Sequence, residues 1–419
     1  MSKSQQQPST RKAVQQEYRD FMEMETLVQK AFARLHQYVE KEQYRGYEFD
    51  DFLASPLCRL LSFGNVFLKR VWIQVGERLP INIRPLIGIP KLESTKARGF
   101  FAKGALWQYQ RSGDPQWLAI AERHLEWLMQ NPSTGYPGIS WGNHFDFASR
   151  GGFFPKGLPT IVWTAHIAES FDLAYQLTGK AQYREVVIQA AQFIVEGLER
   201  HSDENGICFA YAPGILNLIH NSNLLGAATL LRAWRYTGDP AQHRLAQQAY
   251  QWTIAHMHPD GSWYYGAEPK YRWIDNFHTA YNIDCLMTAV QIVGEEFFPF
   301  SIVERAYAFW VKHFFEEDGT PWYYHNRKYP LDIQCAAQAI ETFAKLWEVF
   351  PDALKRGIAV ARWTIRNMQK SNGAFRYRRL RFWRNDLEPI HWGEATMYAA
   401  LSALLLALQR AHSGKGEMI

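Results

Sequence analysis

The chain has 419 residues, 47% apolar and 21% charged, which suits a large globular core and excludes a disordered chain. Its net charge of +5 is too small over this length to point to nucleic acid, and no uncharged apolar run is long enough to span a bilayer. Cys58, Cys208, Cys285 and Cys335 lie far apart with no CxxC, so they read as reduced core thiols and exclude a disulfide framework. Aromatic residues make up 15%, with 16 Trp, as expected of a thick helical core or of a surface that stacks on sugar faces.

Residues 1–12 are polar and are expected to form a disordered tail. They lack an apolar signal-peptide core, so a cytoplasmic location is the default expectation. Residues 13–45 read as a long helix, with Met24, Leu27, Val28, Ala31, Leu35 and Val39 at three-to-four spacing. A second helical pattern covers 50–78, where Leu60, Leu61, Phe63, Val66, Phe67 and Val71 alternate with Arg59, Lys69, Arg70 and Arg78. Packing against the main domain is the simpler reading, and peripheral membrane contact through 58–78 is the alternative. Pro80, Pro85 and Pro90 make 79–96 an extended connector. Residues 13–96 are thus an N-terminal helical extension and connector.

From residue 97 the chain becomes periodic. Apolar helical patterns begin near 97, 159, 219, 276, 332 and 390, a repeat of 56 to 62 residues. Three of them end in the glycine stops SGD, TGK and TGD. More polar amphipathic helices lie between them, at 115–130, 181–200, 240–257, 299–316 and 351–370. The turns that follow these are also in phase, at Gly135, Gly206, Gly261, Gly319 and Gly373. A helix apolar on most of its circumference has to be buried all round. Six apolar helices are therefore expected to form an inner ring and the polar ones an outer ring: an all-α (α/α)6 toroid over 97–410, with the missing outer helix supplied from the N-terminal region, and a superhelical solenoid with the same repeat as the alternative. Residues 411–419 are a tail.

The connections from outer to inner helix are long and fall on one face, whereas the return connections are short. Long loops on one rim of a rigid scaffold are where sites are built. They carry Trp141, His144, Asp146 and Arg150, then Trp163 and His166 on the helix that follows. The next loops offer Tyr211, His220 and Asn221, then Trp273, Asp275, Asn276, His278, Tyr281 and Asp284. The last two offer Asp332, and His391, Trp392 and Glu394. Aromatic rings stack on sugar faces, while Asn, Asp, His and Arg bind hydroxyls and carboxylates, so this is the composition of a carbohydrate cleft. Any one of these groups taken alone also reads as a helix cap, Asp275, Asn276 and Asp332 above all. His166-x-x-Glu169 has helical spacing for a metal pair, but a second pair is absent. No metal and no cofactor is expected.

The repeat with its motifs WGNHFDF, IHNSN and DNFHTAYNID resembles the (α/α)6-toroid carbohydrate-active enzymes: polysaccharide lyases, uronate-processing hydrolases and the helical domain of glucuronyl C5-epimerases. It also looks like toroid proteins that travel with bacterial polysaccharide biosynthesis. The resemblance implies an enzyme on a uronate-containing poly- or oligosaccharide, working by elimination or epimerisation. In that reading His220, His278, Tyr281, Asp275 and Asp146 are the catalytic candidates and the other residues named above bind substrate. The alternatives are a glycoside hydrolase using two carboxylates, a non-catalytic glycan-binding or scaffold protein, and, on the DGSW turn alone, a terpene cyclase.

Overall fold

A computed structural model describes the chain from Pro8 to Gly416, with side chains for residues 22–413. The first seven residues of the expected tail, and residues 417–419, lie outside the described residues.

Helix α1 (Pro8–Lys41) begins the chain, taking in residues 8–12. The expected single helix over 50–78 is instead a 3₁₀ turn (Asp51–Ala54), α2 (Pro56–Leu60) and α3 (Val66–Arg78). The break falls where Phe63 and Gly64 take positive φ (48° and 73°), which no helix continues through. Inner and outer helices then alternate: α4 (Thr95–Ser112) and α5 (Pro115–Gln130), α6 (Ile161–Thr178) and α7 (Ala181–Glu196), α8 (His220–Thr237) and α9 (Pro240–Ala255). They continue as α10 (Asn276–Val293) and α11 (Ser301–His313), then α12 (Ile333–Leu346) and α13 (Ala353–Met368). A π-helical turn (Ile390–Ala395) leads into α14 (Thr396–Gly416). Among the described residues the strands are two- to four-residue pieces on the long-loop face: β1 (Phe147–Ser149) with β2 (Gly152–Phe154) and β3 (Arg200–Asp203) with β4 (Gly206–Phe209) are hairpins, and β5 (Leu331–Asp332) adds to the hairpin of β6 (Arg378–Arg379) and β7 (Arg384–Asn385).

The ring closes. Each inner helix packs on the next, and α14 returns to α4. Each outer helix covers its inner partner, and α1 packs against α14 and α13 as the sixth. The glycine stops are observed: Gly113, Gly179 and Gly238 end α4, α6 and α8 in the left-handed conformation.

The phased turns lock the outer ring. A Cβ on Gly206 would sit 2.2 Å from Gln248 O in α9, on Gly261 2.3 Å from Arg305 O in α11, and on Gly373 2.3 Å from Arg34 O in α1. Each turn therefore lies directly on the backbone of the next outer helix, a closeness only glycine permits. In the first repeat the residue in this role is Gly138, 2.1 Å from Gln189 O, whereas Gly135 meets open space. The Arg34 contact puts α1 in register with α9 and α11 and makes it a member of the ring.

Inside the ring, polar residues in the first turns of the inner helices satisfy buried backbone. Thr164 Oγ1 accepts from Trp141 N (3.2 Å), Asn223 Oδ1 from Phe209 N (3.0 Å) and Glu394 Oε1 from Phe375 N (2.9 Å). Deeper in the lumen, Lys103 Nζ lies 2.6 Å from Glu341 and 3.2 Å from Glu169, while Lys345 Nζ lies 3.0 Å from Glu169, 2.9 Å from Glu341 and 3.3 Å from Asp284. This network crosses the middle of the barrel and separates a cavity at each end. No described helix is long and apolar enough to cross a membrane.

Candidate functional site

The larger cavity, about 850 Å³, opens on the long-loop face. Its floor is the heads of the inner helices, its walls are the loops, and α3 lies across it. Helix α3 is seated by Gly76, where a Cβ would come 2.4 Å from the ring of Phe52. Asn385 Nδ2 ties β7 to Glu77 O at 3.3 Å.

Of the residues singled out from the sequence, Arg150, Trp163, Tyr211, Trp273, His278, His391 and Trp392 line this cavity. Asp275 stands directly behind it. Asp275 is the N-cap of α10, its Oδ1 accepting from His278 N (3.1 Å), and its Oδ2 accepts from His278 Nδ1 (2.7 Å) and Trp273 Nε1 (2.9 Å). One carboxylate therefore both caps a helix and orients an imidazole. With Nδ1 bound to the carboxylate, the neutral ring carries its lone pair on Nε2. Trp273 and Tyr265 stack with centroids 4.7 Å apart, and the Arg150 guanidinium lies 5.9 Å from the Trp273 ring.

A second imidazole, His391, lies in the floor with Nδ1 2.8 Å from Glu48 Oε1, without hydrogen-bond alignment. Burial holds His391 well below its usual pKa, and burial raises Glu48 to about 8. Lys96, at the head of α4, places Nζ 4.9 Å from the rings of both Trp163 and Trp392, and burial brings its pKa down to about 8. Asp50 also lines the cavity; burial first, then the neighbouring carboxyl groups of Glu48, Asp51 and Glu77, raise its pKa well above the usual carboxylate value. Asp50 Oδ1, Trp163 Nε1 and Tyr271 Oη are buried polar atoms with no protein partner. Groups left unpaired in a cavity wall are ready for a ligand.

The other expected site residues lie elsewhere. His220 is packed against Trp252 and His256 in the core (centroids 5.1 and 5.2 Å), and burial lowers its pKa to about 3. Asn221 is buried beside it in α8. Trp141 is wholly buried, its Nε1 donating to Leu128 O (3.0 Å). His144 is set behind the floor, edge-on to His391 at 6.1 Å. Asp146 accepts from Lys156 N (2.8 Å) and shapes its loop. Asn276 bridges Trp310 Nε1 (2.8 Å) and Trp322 O (2.9 Å). Asp332 caps α12 and pairs with Arg378. Glu394 holds the backbone of the last repeat, as described above. Tyr281, His166 and Asp284 face the lumen one turn and more below the floor, Tyr281 Oη accepting from Gln334 Nε2 (2.7 Å).

Several lining residues carry no mark in the sequence repeat: Asp50, Arg70, Glu77, Arg78 and Arg378. The acidic run Glu48-Phe49-Asp50-Asp51 is visible in the sequence, yet nothing local says that it reaches the mouth. Among the described residues no cluster of His, Cys, Asp and Glu is arranged to hold a metal ion.

Solved structures share this architecture. The cellobiose 2-epimerase of Bacillus thermoamylovorans matches at a TM-score of 0.59 and 12% identity, over 75% of this chain and 87% of its own. A D-mannose isomerase matches at 0.56 and 11%, over 76% and 87%. The α-1,6-mannanase of Salegentibacter sp. HEL1_6 matches at 0.54 and 15%, over 77% and 90%. The fold is the (α/α)6 toroid. No protein-family pattern matches the sequence, and no curated protein is similar to it.

Proposed function

We propose that the protein is a carbohydrate-active enzyme that acts on an acidic, uronate-containing poly- or oligosaccharide by proton abstraction, leading to epimerisation or elimination. The observation that carries this reading is the His278–Asp275 pair on the wall of an aromatic cavity that is also rich in arginine. Arg70, Arg78 and Arg150 line it with no carboxylate among the described residues within ion-pair distance, against two lining carboxyl groups, Asp50 and Glu77. Such a wall favours an anionic sugar, and an arginine on the sugar carboxylate lowers the barrier to losing the adjacent proton. His278 Nε2 takes that proton, with Asp275 stabilising the imidazolium. Asp50, whose pKa burial raises, returns one. Trp273, Tyr265 and Trp163 supply faces for sugar rings. The similar structures, an epimerase, an isomerase and a mannanase, support sugar as the ligand class.

Hydrolysis by paired carboxylates loses the candidates expected for it: Asp146, Asp275, Asp284, Asp332 and Glu394 are each committed to a helix cap, an ion pair or a backbone amide.

The test is incubation with a panel of acidic polysaccharides in D₂O, read by NMR for exchange of the proton next to the carboxylate and by ultraviolet absorbance for unsaturated uronate. Either signal is expected. His278→Ala should lower kcat by roughly 10²–10⁴-fold. Asp275→Asn should lower kcat with Tm retained, because asparagine still caps a helix. Reducing-end release without exchange would replace this reading with hydrolysis, and binding without any product would replace it with a glycan-binding role.

A further inference from the structure

The outer surface of the mouth is apolar to a degree the rest of the molecule is not. Sixteen large apolar side chains are exposed among the described residues, and ten of them fall between Leu57 and Leu86. Phe63 is 79% exposed, Phe67 67% and Leu86 85%; Leu60, Val66, Val71 and Ile81 lie among them. The positive-φ turn at Phe63–Gly64 makes this arrangement, turning the chain between α2 and α3 so that the Phe63 ring stands outward. Helix α3 has two roles along its length. Ile73 and Gly76 are buried against the body, whereas Phe67, Val71 and Val75 are exposed and also border the cavity. An apolar stripe thus runs from the outer surface into the mouth.

A second element points outward at the same rim. The β6–β7 hairpin is fixed to the last turn of α3 through Asn385 and carries Phe382, 86% exposed, and Trp383 at its tip. Its turn is closed by Leu380 N donating to Trp383 O at 2.8 Å.

The charge on these two elements is predominantly positive. Arg59, Lys69, Arg70 and Arg78 flank the apolar residues of α2 and α3, and Arg379, Arg381 and Arg384 flank Phe382 and Trp383. The nearby acids are committed: Glu77 accepts from Gln74 Nε2 (3.1 Å), and Asp386 pairs with Arg376 (2.6 Å) and Arg384 (3.4 Å). Exposed leucine and phenylalanine among arginines, with tryptophan at a loop tip, is the chemistry of an interfacial membrane contact. No described helix can span a bilayer, so the contact is peripheral.

We propose that the mouth face docks on an anionic lipid bilayer through α2, the α2–α3 turn, α3 and the tip of the β6–β7 hairpin, with the cavity opening toward the membrane surface. The contact stands on these residues alone and does not depend on which reaction the cavity performs. Together with the proposed sugar chemistry, it makes the substrate a saccharide carried at a membrane.

The experiment is co-sedimentation of the full chain with vesicles of phosphatidylcholine alone and of phosphatidylcholine with phosphatidylglycerol, at low and at high salt. Binding to the anionic vesicles, weakened by salt, is expected. The triple variant Leu60→Ser, Phe63→Ser, Phe382→Ser alters exposed side chains that do not line the cavity, and it should reduce partitioning by about tenfold or more. A charge variant, Arg59→Glu with Arg381→Glu, should weaken binding to anionic vesicles only. Thermal melts of both variants matching the parent keep the reading on the surface. Absence of binding to anionic vesicles at low salt would overturn the proposal, as would undiminished binding by the triple variant. A parent that sediments as a dimer, fails to bind vesicles and becomes monomeric in the triple variant would assign the patch to a second copy of the chain instead. Vesicle binding without turnover on any sugar would leave this proposal standing and sink the enzymatic one.

Discussion

Glu48 sits wholly buried between the head of α14 and the connector, its Oε1 accepting from His391 N at 2.5 Å. Burial raises its pKa from 4.5 to about 8, the backbone hydrogen bond and the charges of Arg84 and Lys96 only partly opposing the rise. The folded state therefore holds a proton on Glu48 that the unfolded chain releases above about pH 4.5. Between pH 4.5 and 8 the folded state binds more protons than the unfolded one, so this residue makes stability fall as pH rises, by up to about 1.4 kcal/mol per pH unit. Glu48→Gln keeps the shape and removes the ionisation. Its unfolding free energy, measured in urea at pH 5.5 and 7.5, should decline less than that of the parent over the same interval; an unchanged decline would mean that Glu48 is ionised in the fold. The residue scale also shows why single candidates misled. Asp332 and Glu394 are aspartate and glutamate at mouth-side helix heads, as an active-site acid would be, but each is consumed by a backbone amide or an arginine. Asp275 is the exception, because its second oxygen reaches His278.

At the scale of elements, the device that recurs is a glycine turn laid on the backbone of the next outer helix. Gly261 has φ 92°, and a Cβ there would come 2.3 Å from Arg305 O. Gly261→Ala must both adopt a disfavoured φ and push α11 outward, so a loss of about 1–3 kcal/mol is expected from strain, with the clash adding to it. Gly135→Ala is the control: its φ is 86°, yet nothing lies within 4 Å, so it should lose only the smaller conformational part. Chemical denaturation midpoints of the two variants check the difference, and equal losses would dismiss the packing role. The positions of these glycines were legible in the sequence because aspartate or asparagine precedes four of them and aromatics follow. Which glycine carries the contact in the first repeat was not, since Gly135 and Gly138 differ only in what lies above them.

At the scale of the whole molecule, the barrel is held open at the mouth and closed at its waist by charge. Desolvation opposes ionisation of Glu169, yet Lys103, Lys345 and Arg232 hold it well below the usual carboxylate range. Lys103→Met would take from buried Glu341 its nearer cation at 2.6 Å and leave it Lys345 at 2.9 Å, so the loss should stay below the roughly 3–5 kcal/mol of a buried pair broken outright. The double variant Lys103→Met with Glu341→Leu should recover most of that loss in a denaturant titration. If it does not, the network contributes more than the repair of its own desolvation. The waist also decides which residues can meet a substrate. Tyr281, His166 and Asp284 lie at and around it, one turn and more below His278, and are divided from the mouth cavity by the floor of Trp163, Phe277 and Trp392.

The sequence by itself determined the architecture, because a 56–62-residue alternation of all-round apolar and amphipathic helices has to bury six rods inside six others. It also placed Trp273, Asp275 and His278 together, since they lie within one turn of chain at the head of one helix. What it left open was every relation between distant segments: that residues 50–78 cross the mouth with Asp50 facing inward and Phe63 outward, and that His220 turns into the core while His391 turns into the floor. Local periodicity reports which side of a helix is apolar. Only the packed chain decides whether that side meets protein, a cavity or an outside surface.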